Sequence, residues 1–430
     1  MIRKIKQLFL TDLLKITSRT GIATAIKIAS QFVTSKILAI FIGPSGIAIM
    51  GQLTNVVSVF QAIGSGGITV GVTKYVSEFS RDKKQQESII ANSFKVIFYC
   101  SLICTTALIL LYKYIGNLVF KSDQYNFVIL ALGFSLILLG FNNLFIAIIN
   151  GLKEFKKYIL INIGTSIVNL ILTLIFVKFW GIPGALLTFI LSPALIFFIS
   201  FFSVYKYAWL NMNFISMKFD FKVLKKLSNF SLMVINNAIV GSLAQIVIRS
   251  IITNKISLDM AGIWDGMNRL SAAYLLLLTT SIQVYYLPTL SSILNPHLLW
   301  KEIIKTEKVM LPLVTFMFIL IFLFRGVIID VLFTKQFYAM KELFVLQLLG
   351  DLIKVAAWII SYTMYAKAMT KQLIITDNIF TITFIAFIYF FINKLGLKAV
   401  YYGYILNNTV YLIVIFFFLK NYIAKQYKSV

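Results

Sequence analysis

Apolar runs of about 20 to 30 residues alternate with short polar breaks along the whole chain. A helix needs about 20 apolar residues to cross the hydrocarbon core of a bilayer. Runs of this length are too long for barrel strands, and an open sheet would leave unpaired backbone in lipid. The pattern therefore predicts an all-α polytopic membrane protein. Its twelve spans fall at roughly 16–42, 46–75, 88–114, 125–149, 157–179, 182–206, 227–253, 259–288, 303–324, 340–365, 372–393 and 398–420.

Six spans per half invite a search for internal repetition. Gly181 in FWGIPGAL and Gly396 in KLGLKAV lie 215 residues apart, as do Glu87 and Glu302. Gly46-Ile47 matches Gly262-Ile263 at 216, and Phe120 with Gln124-Tyr125 answers Phe333 with Gln336-Phe337 a few residues off that offset. These matches share one order, so two homologous six-helix lobes are expected. An even number of spans per lobe sets both the same way up, related by an axis along the membrane normal. The expected organisation is an N-lobe over 1–206, a basic cytoplasmic linker over 207–226 and a C-lobe over 227–430. The linker belongs to the longest break, 206–226, and could lie on the membrane as an amphipathic helix.

Composition sharpens this picture. Apolar residues make up 60% of the chain, against roughly 45–50% in globular proteins. The net charge of +25 would point to nucleic acid in a soluble protein. Here no break is long enough for a binding domain, and nucleic acid is not an expected partner. Lys and Arg instead cluster at the N-terminus (Arg3, Lys4, Lys6) and after even-numbered spans, as in Arg81, Lys83 and Lys84 or Lys218, Lys222, Lys225 and Lys226. Positive charge marks the cytoplasmic side and meets anionic lipid, so both termini are expected there. The N-terminus lacks the apolar core and cleavage site of a signal peptide, so the first span is expected to be retained. Cys100 and Cys104 read as small apolar residues. His297 is the only histidine, so no multi-histidine metal site can form, and no cofactor is expected.

Charges inside spans are costly and usually face a polar cavity or one another, with snorkelling as the bland alternative near span ends. In the first span Thr20, Thr24, Lys27, Gln31 and Thr34 share one face, with Lys27 near the middle. Lys74 closes the second span after the glycine-rich GSGGITVGV, which reads either as tight helix packing or as a hinge, and Lys95 lies inside the third. The seventh span carries Ser242, Gln245, Arg249 and Thr253 on one face. The eighth carries Asp265, four residues before Arg269, as an expected intrahelical pair, then Thr280, Gln283 and Pro288. In the tenth, Gln347, Asp351, Lys354, Trp358, Tyr362 and Tyr365 form one polar and aromatic stripe, with Asp351 and Lys354 expected to neutralise each other. A titrating Asp351 would serve ion coupling; a static pair would be structural. A cavity lined mainly by Lys and Arg suits an anionic, hydroxyl-bearing substrate. Phosphate loops, His clusters and catalytic outer loops are missing from the sequence, which argues against an enzyme.

GVTKYVSEF (71–79), AGIWDGMNRLSAAYL (261–275), VYYLPTLSS (284–292) and FTKQFYAMKELFVLQLLGDLIKVAAW (333–358) closely resemble the Wzx family. These are the flippases of O-antigen and enterobacterial common antigen, within the multidrug/oligosaccharidyl-lipid/polysaccharide exporter superfamily. The resemblance covers essentially the whole chain. It implies a V-shaped fold of two six-helix lobes in the bacterial inner membrane. The implied substrate is an undecaprenyl-pyrophosphate-linked oligosaccharide, moved from the cytoplasmic to the periplasmic leaflet by alternating access. It also places Lys27, Lys74, Arg249, Asp265 and Arg269 at or near the central cavity, the four basic residues as cavity cations. It assigns Asp351 and Lys354 no role; by their place on polar stripes they join Gln31 and Asp265 as polar-cavity or ion-coupling candidates. H⁺ or Na⁺ is the candidate coupling ion, and the glycan polymerase and chain-length regulator of the pathway are candidate partners. Two alternatives stay open. One is a drug/cation antiporter of the same fold; the other is a membrane-embedded glycan polymerase or acyltransferase.

Overall fold

The structure is a computed structural model and describes residues 25–207, 219–281, 286, 289–290, 293, 295–367 and 369–428 of the 430. Every regular element among the described residues is a helix. They are α1 (25–41), α2 (Gly43–Gly64), α3 (Thr69–Glu78), α4 (Lys83–Phe120), α5 (Asn126–Gly151), α6 (Phe155–Val204) and α7 (Phe221–Lys255). Then follow α8 (Leu258–Ser281), α9 (Pro296–Leu323), α10 (Arg325–Leu332), α11 (Met340–Ala366), α12 (Thr370–Leu395) and α13 (Lys398–Lys428). Nine stretches among the described residues are long and apolar enough to cross a membrane, with mean hydropathy between 1.4 and 2.4 over their best windows. Leu110, Phe316 and Ile382, each more than 60% exposed, present the apolar exterior that lipid requires.

Local chemistry explains the breaks. Asp82 caps α4 by accepting from the Gln85 backbone N–H at 3.1 Å, and Asn295 caps α9 by accepting from that of His297 at 2.8 Å. Pro296 stands at the first position of α9, where its missing N–H costs nothing. The expected second span is not continuous. Gly66 and Gly67, at φ +60° and +62°, end α2, and the chain restarts as α3. A Cβ on Gly67 would also meet the Ser231 backbone, so this glycine serves close packing as well as the bend. The 50-residue α6 is interrupted at Gly181 (φ +55°, ψ −127°), which separates the two spans expected there. Gly396, between α12 and α13, has nearly the same backbone (φ +57°, ψ −144°).

The chain forms two compact units. One, the N-unit, holds the described residues up to Ile42 together with Gln52–Ser242; the other, the C-unit, holds Gly43–Gly51 and Leu243 onward. In the N-unit α5 packs on α3, α4 and α6 around Val72, Val76, Ile90, Ile97, Phe145 and Ile148. Lipid is as apolar as leucine, so close approach and interhelical hydrogen bonds must hold such helices together. Gly140 brings α5 against Ile97 and Ser101 of α4, and Ser101 Oγ donates to the Gly64 carbonyl at 2.9 Å. Ser200 Oγ donates to Asn142 Oδ1 at 2.6 Å. In the C-unit α11 packs chiefly on α13, α9 and α8. Both cysteines are free thiols on α4. Of the expected linker, 208–218 lie outside the described residues, and Lys222, Lys225 and Lys226 belong to the first turns of α7.

Candidate functional site

Residues four and three apart on a helix share a face. On α8 this brings Asp265, Asn268, Ser271 and Tyr274 or Leu275 into one stripe; on α11 it does the same for Gln347, Asp351, Lys354 and Trp358. The C-unit turns these two stripes into two polar knots and a cavity.

The first knot corrects the expected Asp265–Arg269 pair. Asp265 is held from the neighbouring helix: Arg249 Nε donates to Oδ2 at 2.6 Å and Nη2 to Oδ1 at 2.7 Å. Both residues are buried, at 2% and 6% exposure, so the pair is desolvated, and its bidentate geometry is the kind that offsets that cost. Gly51 makes the room, because a Cβ there would collide with the guanidinium and the carboxylate. Arg269, one turn along α8, stays in coulombic reach of Asp265 and Arg249 but hydrogen-bonds to neither. Of the two arginines only Arg269 keeps its donors unspent. Arg249, read above as either a cavity cation or a snorkelling side chain, is neither exposed nor uncompensated.

The second knot corrects the expected Asp351–Lys354 pair. Asp351 is fully buried and takes hydrogen bonds from Ser271 Oγ at 2.7 Å, Gln347 Nε2 at 3.0 Å, the Tyr274 hydroxyl, and the Tyr404 hydroxyl at 2.7 Å. Four neutral donors from three helices replace the single lysine. Lys354 instead stands over the rings of Trp358 and Tyr404, 5.0 and 5.4 Å from their centroids, a cation–π arrangement.

Between these knots lies a cavity of about 390 Å³ inside the C-unit. Its wall includes Trp264, Trp358, Tyr401 and Tyr404 as aromatic surface and Gln245, Asn268, Ser271, Gln347 and Lys354 as polar groups. Two residues of that wall each hold a fully buried polar atom without a hydrogen-bond partner: Asn268 at Nδ2 and Tyr401 at its hydroxyl. Buried donors are normally satisfied, so such a pair on a cavity wall needs an explanation.

The remaining candidates lie elsewhere. Lys27, Gln31 and Lys74 belong to the N-unit; Lys27 and Lys74 are exposed, and Lys74 lies 5.0 Å from the centre of the Tyr75 ring. Lys95 stands 4.8 Å from the centre of the Phe219 ring. Thr20, Thr24, Gln283 and Pro288 are outside the described residues, and the side chains of Thr280 and Tyr365 are not described. Asn268, Ser271, Tyr274, Tyr401 and Tyr404 were not singled out from the sequence. Four residues of the 261–275 run (Trp264, Asn268, Ser271, Tyr274) carried a signal in their helical spacing. For Tyr404 the signal was only a tyrosine beside Gly403 in an apolar run.

Comparison with known proteins gives a consistent result. The lipid III flippases of Escherichia coli (strain K12) and Shigella flexneri are each 27% identical to this chain over 366 residues, covering 85% of it and 88% of theirs. The relatives are thus transporters, not enzymes. Among solved structures, the inward-facing conformation of a multidrug resistance MATE family transporter of the MOP superfamily matches with a TM-score of 0.78 at 17% identity, over 93% of this chain and 96% of that one. The fold is therefore that of the MATE-like exporters. The family described as polysaccharide biosynthesis protein matches residues 13–294, about two thirds of the sequence, and the chain belongs to that family.

Proposed function

We propose that the protein is a flippase that moves an undecaprenyl-pyrophosphate-linked oligosaccharide from the cytoplasmic to the periplasmic leaflet of a bacterial inner membrane by alternating access. The observation that carries this is the likeness to two lipid III flippases over 85% of this chain and 88% of theirs. The drug/cation antiporter reading draws only on likeness of fold, at 17% identity. A covered Asp351 and a paired Asp265 also offer a lipophilic cation little accessible acid. Purified protein in liposomes with a labelled polyprenyl-pyrophosphate oligosaccharide tests the proposal. Transfer between leaflets without chemical change is expected; a new covalent product without transfer would reverse it.

In this reading cationic side chains meet the pyrophosphate as point charges or a planar donor fork, Lys27 and Lys74 being the candidates in the N-unit and Arg269 in the C-unit, and the polyprenyl tail stays in lipid. Lys27→Ala and Arg269→Ala are expected to lose transport while inserting normally; a variant that flips at the native rate removes that residue from the site. The orientation that follows from the Lys and Arg distribution has both termini and the linker in the cytoplasm. A cysteine at Ser216, in the segment outside the described residues, should react with an impermeant reagent only in inverted vesicles. Asp351 remains the candidate for H⁺ or Na⁺ coupling. Flipping by Asp351→Asn with and without an imposed gradient separates that role from a structural one, because an unchanged gradient response means no coupling there. Association with the glycan polymerase and chain-length regulator would place the flipped product at its next enzyme, and co-purification checks it.

A further inference from the structure

The C-unit cavity has a polarity that its knot at Asp351 imposes. Ser271 and Tyr404 each give their only hydroxyl proton to the Asp351 carboxylate. Their oxygens, on the cavity wall, are left able only to accept. Lys354 supplies the opposite character, since its ammonium only donates; the unpartnered Asn268 Nδ2 and Tyr401 hydroxyl lie fully buried behind that surface. The wall therefore carries a fixed cationic donor, fixed acceptors and five aromatic side chains, Phe384 among them, around about 390 Å³.

Few ligands satisfy all three. A polyprenyl chain would leave the donors unmatched. A phosphate or pyrophosphate would find one lysine and several oxygens that repel it. A lipophilic cation would face Lys354, with Asp351 covered by its donors and Asp265 paired to Arg249. A sugar ring fits, because each hydroxyl both donates and accepts while its C–H face packs on an aromatic ring. The volume lies at the small end of the range for ligand pockets, suited to one or two rings.

We propose that this cavity is a sugar-ring subsite of the C-unit. A pyranose of the transported glycan stacks on the aromatic wall and bridges Lys354 to Ser271 and Tyr404. Asp351 does not touch the sugar; it is a positioning residue that holds the two acceptors turned toward it. The substrate assignment rests on the flippase reading above, whereas the subsite itself can be tested without transport.

The full chain in detergent, with Trp264 and Trp358 as fluorescent reporters, is titrated with methyl glycosides of neutral hexoses and N-acetylhexosamines, and separately with inorganic pyrophosphate. Saturable quenching by at least one glycoside, and none by pyrophosphate, is expected. Asp351→Asn should weaken glycoside binding about tenfold in folded, monodisperse protein, because an amide that donates turns one hydroxyl away from the sugar. Lys354→Met should weaken it similarly, and carries the test if Asp351→Asn does not fold. No glycoside response, a response to pyrophosphate alone, or undiminished binding in Lys354→Met would each overturn the subsite. Flipping in liposomes without glycoside binding leaves the flippase reading and removes the subsite; glycoside binding without flipping does the reverse.

Discussion

At Asp351, α11 carries a fully buried carboxylate beneath four hydrogen-bond donors; 215 residues earlier, at the offset that relates Gly396 to Gly181, α5 carries Leu136, 1% exposed among apolar neighbours. Lys354 answers to Leu139, also 1% exposed, and Tyr404 to Phe189. The halves nevertheless share their backbone devices. Each has a side-chain cap at Asp82 or Asn295, a 3-10 turn at Asp123–Tyr125 or Lys335–Phe337 and an aromatic pair beside that turn, Phe120–Tyr125 at 5.5 Å and Phe333–Phe337 at 4.9 Å. Each also has a positive-φ glycine at its last helix junction. The scaffold thus repeats while the chemistry does not. The first half spends its buried polar groups on backbone carbonyls and small side chains; the second spends them on an ion pair, a carboxylate hub and a cavity.

The hardest way to break this comparison is to move the carboxylate across. Leu136→Asp should cost about 5 kcal/mol or more, from the lost packing and a buried charge placed without the four-donor hub that holds Asp351. Yield of monodisperse protein and its melting temperature read the loss. Next in size, Arg249→Met should cost about 3–5 kcal/mol by stranding Asp265, and Arg249→Met with Asp265→Leu should recover most of it. A double variant no more stable than the single would show that the pair does more than neutralise itself.

The glycines sharpen the repeat rather than break it. Neither Gly181 nor Gly396 has an atom within 4 Å of where a Cβ would stand, so alanine meets only backbone strain. Each substitution should cost about 1–3 kcal/mol, and the two costs should agree. Unequal shifts in thermal unfolding would mean that the two junctions are not mechanical equivalents. The smallest effect is expected at Ser271→Ala, about 1 kcal/mol, because Asp351 keeps three other donors. A loss several times larger would make Ser271 the keystone of the hub.

Much of this was legible in the chain. The spans, the repeat and the polar stripes on the seventh, eighth and tenth spans follow from periodicity, since every residue's angular position on a helix is set by its number. Asp265, Arg249, Asp351, Gln347 and Lys354 all stood out as charges or amides where lipid forbids them. Their partners did not. Within one helix Asp265 could be matched only to Arg269, and Asp351 only to Lys354, because those are the neighbours that sequence spacing supplies. Across helices Asp265 chose Arg249, and Asp351 chose Ser271, Tyr274 and Tyr404.

The sequence by itself determined that the chain is a helical membrane protein and which face of its polar spans is polar, while the break at Gly66 and Gly67 inside the expected second span came only with the structure. Hydrophobic length, helical period and the special backbone of glycine and proline act within a few turns, so they need no knowledge of neighbours. Tertiary structure alone decided which polar faces meet, that both expected ion pairs exchange partners, and that Asn268 and Tyr401 remain unpaired on a cavity wall. Those outcomes turn on distances of 2.6 to 3.0 Å between side chains as much as 80 residues apart, and only the packing of α7, α8, α11 and α13 sets such distances.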